Sequence, residues 1–229
     1  MHIPVRVDVE SEGRKISDVF VMDSRSSDEF DEVFCELFCS DLLLPHEPFK
    51  SEILRAIGER KREHREIEGE LLEVERKHRG AEIAIRLDLF IDRTRVTDGF
   101  LWNLSGEKAV DVFSECYVRE NGLPASFVSG VSCSIREQVY NAKKGALIGG
   151  GEYLSRLAVE LKEENPLPRT PLIRFMSEEE KEKFLMNVSR EERRKKRQSK
   201  TGKLSWREMY RPQPVCRLEG KVVGTLGEF

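Results

Sequence analysis

The sequence predicts an α+β protein made of two tandem strand-strand-helix-helix repeats, followed by a basic C-terminal α-helix and a tail. Two observations carry this prediction. Residues 3–22 align with residues 83–102 at an offset of 80 without a gap, so one unit occurs twice. Each copy then changes from an apolar period of two to the spacing i, i+3, i+4, which indicates a hairpin followed by helices.

The hairpin of each repeat is predicted from apolar residues at every second position. A polar turn and a second short strand follow, around residues 16–21 in repeat one and 96–102 in repeat two. A lone hairpin is only marginally stable in water, so the helices are expected to cover its apolar face. The alternating residues are Ile3, Val5, Val7 and Val9, and then Ile83, Ile85, Leu87, Leu89 and Ile91.

Two helices per repeat are predicted from helical spacing of apolar residues. Pro45 and Pro48 separate the two helices of repeat one, and Pro124 separates those of repeat two, because proline disrupts a helix interior. The apolar helix residues are Phe30, Val33, Phe34, Leu37, Phe38, Phe49, Ile53, Leu54 and Ile57 in repeat one, and Val110, Phe113, Cys116, Tyr117, Phe127, Val128, Val131 and Ile135 in repeat two.

Paired charges recur in both hairpins. Arg6 and Asp8 match Arg86 and Asp88 and alternate with the apolar positions. This pattern favours cross-strand ion pairs that fix the hairpin register. Asp98, like its equivalent in repeat one, is predicted to serve in capping or turns rather than in catalysis.

Charge and glycine content suggest the remaining boundaries. Residues 60–80 are almost uninterrupted charge and predict a solvated helical linker, with His64 and His78 facing solvent. Residues 145–151 are glycine-rich but lack the Lys-Ser/Thr of a phosphate loop, so a flexible linker is predicted. The predicted segments are 1–64, repeat one; 65–80, charged helical linker; 81–144, repeat two; 145–176, linker with a short helix and the NPLP sequence; 177–200, basic helix; and 201–229, tail.

No catalytic, cofactor-binding or metal-binding residue is predicted. The five cysteines and four histidines form no cluster with metal-ligand spacing, and neither a nucleophile elbow nor a phosphate loop occurs. The chain is therefore not expected to be an enzyme. Cys35 and Cys39 lie one helical turn apart among apolar residues, which predicts buried thiols in a reducing compartment.

The N-terminal residues and the hydropathy of the chain predict a soluble, intracellular protein. The first ten residues have a charged strand pattern that differs from a signal peptide. No apolar run approaches the roughly 18 residues that a membrane span needs.

The basic helix is predicted from a capping box and a run of charge. Ser177 is the N-cap residue and Glu180 its capping-box partner. Within residues 189–211, ten Lys or Arg stand against three Glu, although the whole chain has a formal net charge of −3. Such a segment is typical of a surface that meets nucleic acid or an acidic protein.

The spacing of the arginines places them together. Arg190, Arg193, Arg194 and Arg197 fall at i, i+3, i+4 and i+7, so a helix would present them on one face. Glutamates four residues before Lys195 and Lys196 would support the helix by about 0.2–0.5 kcal/mol per pair. Composition alone leaves a binding surface, a nuclear localisation signal and a solvated helix as open alternatives.

Three features together resemble the Snf-five (integrase-interactor) family. They are the repeated IxVRxDxxxxGxKxxDxFxM pattern, the NPLP sequence at residues 165–168, and the basic spacing RxxRRxKR at residues 190–197. The resemblance covers residues 3–197, most of the chain. It implies a non-catalytic nuclear scaffold subunit of a SWI/SNF or RSC-type chromatin-remodelling complex. Because the first repeat starts at Ile3, we expect no N-terminal winged-helix domain.

The resemblance also implies the partners. Repeat one would bind the SWIRM domain of a Swi-three/Moira-type subunit within the remodeller ATPase complex, and the basic helix would bind the acidic patch of the histone octamer, with at most weak contact to DNA and none to membranes. A general nucleic-acid-binding adaptor that uses the basic segment on phosphates is the alternative. The nucleosome-binding residues implied by position are Arg190, Arg193, Arg194, Lys196 and Arg197, with Lys195 as neighbouring charge.

Overall fold

A computed structural model describes residues 2–11, 14–163, 170–200, 214–217 and 223–224. The predicted α+β class is confirmed. Residues 164–169, which hold the whole NPLP sequence, lie outside the described residues. The elements are β1 (His2–Ser11), β2 (Arg14–Asp23), α1 (Asp28–Asp41), α2 (His46–Lys77), β3 (Glu82–Ile91), β4 (Thr94–Asn103), α3 (Val110–Glu120), α4 (Ser126–Glu163), β5 (Leu172–Phe175), α5 (Glu178–Lys200), β6 (Val215–Arg217) and β7 (Val223–Gly224).

The chain forms two compact units. One is Met1–Glu73 with Cys216–Phe229, and the other is Val74–Val215. The six segments expected from the sequence remain predictions as to their boundaries. Of the predicted tail, the structure describes two short strands, β6 and β7.

The first unit is a hairpin covered by helices. β1 and β2 pair antiparallel from His2↔Asp23 to Ser11↔Arg14, and β7 extends the sheet beside β2. The alternating residues predicted for β1 are all buried. Phe20 of β2 packs on Phe34 and Phe38 of α1, with ring centroids 4.8 Å and 5.6 Å away. Cys35 and Cys39 are buried as predicted, and burial raises the pKa of the Cys35 thiol to about 12.

A buried ion pair joins the two helices of this unit. Lys61 of α2 pairs with Asp31 of α1, and their side chains are only 8% and 7% exposed. The Lys61 ammonium also donates hydrogen bonds to the Ser26 carbonyl oxygen at 2.9 Å and to the Ser26 hydroxyl at 2.6 Å. The start of α1 is thereby fixed to the middle of α2.

The charged segment at residues 60–80 is helical as far as Lys77, but the prediction that it is solvated is wrong in part. His64 is fully buried, and Leu71 and Val74 are buried as well. His78 is half-buried. Only some of their charged neighbours, among them Arg65 and Glu70, are exposed. The high local charge therefore gives no sign in the sequence of a helix face that packs against the protein.

In the second unit, β5, β4 and β3 are adjacent in that order, and Val215 of β6 lies on the far side of β3. β3 and β4 repeat the register of the first hairpin, from Glu82↔Asn103 to Ile91↔Thr94. The alternating residues predicted for β3 are buried, and α4 packs against this strand. β5 was not predicted, since its four residues LIRF carry no clear alternation.

Asp98 links a strand to a helix and does not cap one, which corrects the prediction. Asp98 lies within β4, where its carboxylate accepts from the Gly99 N–H at 2.7 Å and from the Tyr117 hydroxyl of α3 at 2.9 Å. Burial and this hydrogen bond raise the pKa of Tyr117. Asp18 likewise lies within β2 and accepts from the Val19 N–H at 2.7 Å.

The second helix of each repeat contacts the backbone of the first strand through residues at equivalent helix positions, Arg60 and Gln138. The Arg60 guanidinium donates to the Pro4 carbonyl oxygen at 2.9 Å. Gln138 accepts from the Arg86 N–H at 2.9 Å and donates to the Arg86 carbonyl oxygen at 2.8 Å. The two contacts fall two residues apart along the strand, because Pro4 corresponds to Ala84 and Arg86 corresponds to Arg6.

The glycine-rich residues 145–151 form part of helix α4, so the prediction of a flexible linker is wrong. The helix breaks at Gly150, which has φ 62° and ψ −159°, a conformation essentially restricted to glycine. After this break the chain turns back, and the Tyr153 side chain packs against the preceding part of the helix. A Cβ atom at Gly145 would clash with the Tyr153 ring.

Candidate functional site

The basic helix α5 begins with the predicted capping box, which is confirmed. The Ser177 N–H donates to the Glu180 carboxylate at 3.0 Å, and the Glu180 N–H donates to the Ser177 hydroxyl at 3.2 Å. Arg174 of β5 forms an ion pair with Glu180. The hydrogen bond from the Ser177 backbone, followed by the charge of Arg174, lowers the pKa of Glu180 below its ordinary value of 4.5.

We expect Ser177→Ala to weaken the first turn of α5 by about 1 kcal/mol. Lowering the pH should destabilise the same turn. A carboxylate whose pKa is lowered by folding contributes stability above its unfolded pKa, and this contribution is lost as the pH falls through the folded pKa. Amide-exchange protection of the first turn should therefore decline below about pH 4.5. In Glu180→Gln this decline should shrink, and an unchanged decline would contradict the assignment.

The arginine face predicted from spacing lies on a single helix. Arg190, Arg193, Arg194 and Arg197 are all exposed residues of α5, which extends from Glu178 to Lys200. Arg193 donates to a backbone carbonyl of its own helix at 3.2 Å. Arg194 lies 3.4 Å from the Glu191 carboxylate. Exposed ion pairs of this kind are worth about 0–1 kcal/mol, so an external carboxylate can replace Glu191 at small cost.

The two lysines of the predicted site are less well placed. Lys195 is half-buried. The side chain of Lys196 lies outside the part of the chain that the structure describes. Glu191 pairs with Arg194, one residue before its predicted partner Lys195. We refer to the four exposed arginines as the arginine face.

The base of α5 packs on the second hairpin. The Phe184 ring lies 5.1 Å from the ring of Phe90 in β3. The Arg95 guanidinium of β4 stands 4.5 Å from the Phe184 centroid and makes two hydrogen bonds to Asp88, of 2.8 Å and 3.0 Å. Asp88 thus forms a cross-strand ion pair, as predicted, and its partner is Arg95, which the sequence analysis did not name. The involvement of Phe90 and Arg95 with α5 was not predicted.

Helix α1 presents apolar side chains to solvent. Phe30, Val33 and Leu37 follow the helical spacing i, i+3, i+7 and are 56%, 53% and 61% exposed. The sequence assigned them to the same apolar face as Phe34 and Phe38, and only those two pack on the hairpin. Together with Leu43, which is 75% exposed, these residues form what we call the apolar stripe.

The apolar stripe includes a strained residue. Leu43 has φ 52°, in the left-handed region that costs most side chains roughly 1–2 kcal/mol. The equivalent residue of repeat two, two positions before its proline, is Gly122 with φ 63°, which adopts this conformation without strain. Repeat one thus keeps an exposed leucine where repeat two has the residue that the backbone favours.

Within the described residues, no group of three or more His, Cys, Asp or Glu side chains could hold a metal ion. Among the described helices, none combines the length and the apolar character that crossing a bilayer requires.

The sequence profile of the family described as SNF5 / SMARCB1 / INI1 matches residues 1–197. The chain belongs to this family. A relative in Arabidopsis thaliana, chromatin structure-remodeling complex protein BSH, is 29% identical over 140 residues, which is 60% of this chain and 56% of that protein. Chromatin structure-remodeling complex subunit SFH1 of Saccharomyces cerevisiae is 26% identical over 211 residues, which is 86% of this chain and 48% of that protein.

A third family member matches a shorter segment. SWI/SNF chromatin-remodeling complex subunit SNF5 of Saccharomyces cerevisiae is 36% identical over 69 residues, 29% of this chain and 8% of that protein. The chain matches about half the length, or less, of these SNF5-family relatives.

Proposed function

We propose that this chain is a non-catalytic scaffold subunit of a nuclear, ATP-dependent chromatin-remodelling complex. Membership in the SNF5 family and the names of its relatives support the coarse role. In the proposed arrangement, repeat one docks a SWIRM-containing subunit, and α5 contacts the acidic patch of the histone octamer. The observation that carries the nucleosome contact is the exposed arginine face on a capped helix.

The chemistry of the arginine face favours carboxylate partners. A guanidinium group forms planar, bidentate hydrogen bonds with carboxylates and is less strongly hydrated than an ammonium group. Four such groups on neighbouring turns match a cluster of Asp and Glu on a protein surface. Phosphates bind guanidinium groups too, which is the basis of the alternative, a general nucleic-acid-binding adaptor.

The two alternatives differ in what else the surface should contain. Proteins that bind single-stranded nucleic acid place aromatic rings among their basic residues for base stacking. No aromatic residue occurs between Arg190 and Arg197. A purely electrostatic interaction with phosphates would bind naked DNA and weaken steeply as salt is added.

The apolar stripe supports the docking of a partner on repeat one. Large exposed apolar side chains on one helix commonly mark a protein interface. Leu43 strengthens this argument, because strained residues tend to occur where they serve binding. In repeat two, the positions of Phe30, Leu37 and Leu43 are occupied by smaller residues, namely Ala109, Cys116 and Gly122.

The decisive experiment compares nucleosome binding by wild type and by Arg193→Glu/Arg194→Glu over a salt series. Charge-assisted hydrogen bonds contribute about 1.5–3 kcal/mol each, so the double reversal should weaken binding roughly 100-fold or more. Nucleosomes with a neutralised acidic patch should weaken wild-type binding to a similar extent, and should weaken the variant little further.

The matched control is Lys108→Glu/Arg119→Glu, which changes the same amount of charge at exposed residues of the second unit. It should bind nearly as well as wild type. Equal loss in the control, or wild-type binding to naked DNA that equals nucleosome binding and ignores the acidic patch, would favour the nucleic-acid adaptor.

A further inference from the structure

We infer that the second hairpin is a seat that fixes the direction of α5, with Phe184 and Arg95 as positioning residues for the arginine face. By the seat we mean the contacts of Phe184 with Phe90 and Arg95 and those of Met176 with Arg93, all within the second unit. Its role in nucleosome binding rests on the proposed function, whereas its effect on the motion of α5 does not.

The central contact joins one cation and two rings on one face of the hairpin. Phe90 is fully buried, and the Phe184 ring packs on it at 5.1 Å. The Arg95 guanidinium faces the Phe184 ring at 4.5 Å. Asp88 holds that guanidinium by two hydrogen bonds, which fixes its plane and compensates its charge. Phe90 and Arg95 are cross-strand partners, so Phe184 is held on one face of the hairpin by an apolar ring and by an oriented cation next to it.

A second contact fixes the chain just before α5. The Met176 N–H donates to the Arg93 carbonyl oxygen at 2.8 Å, and the Arg93 guanidinium donates to the Met176 carbonyl oxygen at 3.3 Å. Met176 is itself buried. The two attachments, at Met176 and Phe184, are separated by two helical turns. A segment held at two points along its axis cannot pivot freely about either of them.

The arginine face starts close to the second attachment. Arg190 follows Phe184 by six residues, which is about 9 Å along a helix. The beginning of the face is thus directed by the seat, while its arginines remain exposed. A helix whose direction is fixed before binding loses less orientational freedom when it binds.

The seat is specific to repeat two. At the positions of Phe90 and Arg95, repeat one has Glu10 and Lys15. A glutamate cannot provide a buried apolar surface for the helix. Lysine lacks the planar guanidinium group, which can pair with a carboxylate and stack on a ring at the same time. The sequence difference explains why the helix is seated on the second hairpin.

The test uses the full chain and the variants Phe184→Ala and Arg95→Met. Backbone ¹⁵N relaxation would compare the tumbling of α5 amides with that of β3 and β4 amides. In wild type the three elements should tumble together, and in either variant α5 should become independently mobile while the strand amides keep their spectra. Phe184→Tyr retains the ring and should behave like wild type. Met186→Ala is the control, since Met186 is an apolar residue of the same helix that is 54% exposed.

Nucleosome affinity is the second readout. Phe184→Ala and Arg95→Met retain every arginine of the arginine face, and we expect each to bind about tenfold more weakly than wild type. Met186→Ala and Phe184→Tyr should bind like wild type. Unchanged relaxation in both Phe184→Ala and Arg95→Met would overturn the seat. Independent motion of α5 with unchanged affinity would overturn its positioning role. Decoupled motion in a protein whose wild type does not bind nucleosomes would support the seat and refute the proposed function.

Discussion

Replacing Lys61 by methionine is expected to lower the free energy of unfolding by about 3–5 kcal/mol. The side chains of Lys61 and Asp31 are nearly inaccessible to solvent. Without the ammonium, the Asp31 carboxylate would lose the buried charge that compensates it, and the Ser26 carbonyl would lose a donor. Urea denaturation at pH 7, followed by circular dichroism, measures the loss.

The double variant Asp31→Leu/Lys61→Met distinguishes the effect of the uncompensated buried charge from the effect of lost packing. Replacing both charges with apolar groups removes the uncompensated carboxylate, so most of the lost stability should return. Arg55→Met is the surface control, because Arg55 pairs with Glu52 and Glu59 in exposed positions, and its unfolding midpoint should change little. If the double variant is as unstable as Lys61→Met, the loss comes from packing and not from the buried charge.

Placing a charge in the apolar stripe should have the second large effect. We expect Val33→Glu to weaken binding of the SWIRM domain of a Swi-three/Moira-type subunit by about 30-fold or more, since an uncompensated charge buried in an interface costs at least 2 kcal/mol. Folding should be unaffected, because the side chain is 53% exposed in the free chain. Isothermal titration calorimetry gives the affinity.

Repeat two provides the matched control for this experiment. Val112 is the equivalent residue, precedes Phe113 as Val33 precedes Phe34, and is 66% exposed. Val112→Glu should leave the affinity unchanged. Leu43→Gly should also weaken binding, yet without loss of stability, because glycine relieves the left-handed strain at φ 52°. Equal losses in Val33→Glu and Val112→Glu would contradict docking through repeat one.

The elements that the sequence predicted well are those whose signals are local. The hairpins follow from alternation over a few residues, and the capping box follows from two residues three positions apart. The arginine face follows from helical spacing in the same way. These patterns need no knowledge of what packs against them, and the structure has both hairpins, the cap and α5 where they were expected.

The predictions that failed concern contacts between distant residues. Phe30 and Phe34 both satisfy the apolar spacing of α1, and the position of Phe20 on the hairpin decides that only Phe34 packs inward. His64 lies among charged residues, and its burial depends on what α2 packs against. The seat joins Phe90 and Phe184, which lie 94 positions apart in the sequence. No local pattern carries such information.

The break at Gly150 also determines how short a fragment of the second repeat can be if it is to keep its buried residues. The internal repeat in the sequence suggests cutting the chain near residue 144, before the glycines. Such a fragment would lack Tyr153 and Leu154, which are both buried. It would also uncover His78, whose ring lies 2.8 Å from the position of a Cβ at Gly151. Deletion series, inserted tags and protease-based mapping should therefore treat residues 145–154 as part of the folded body rather than as a dispensable spacer.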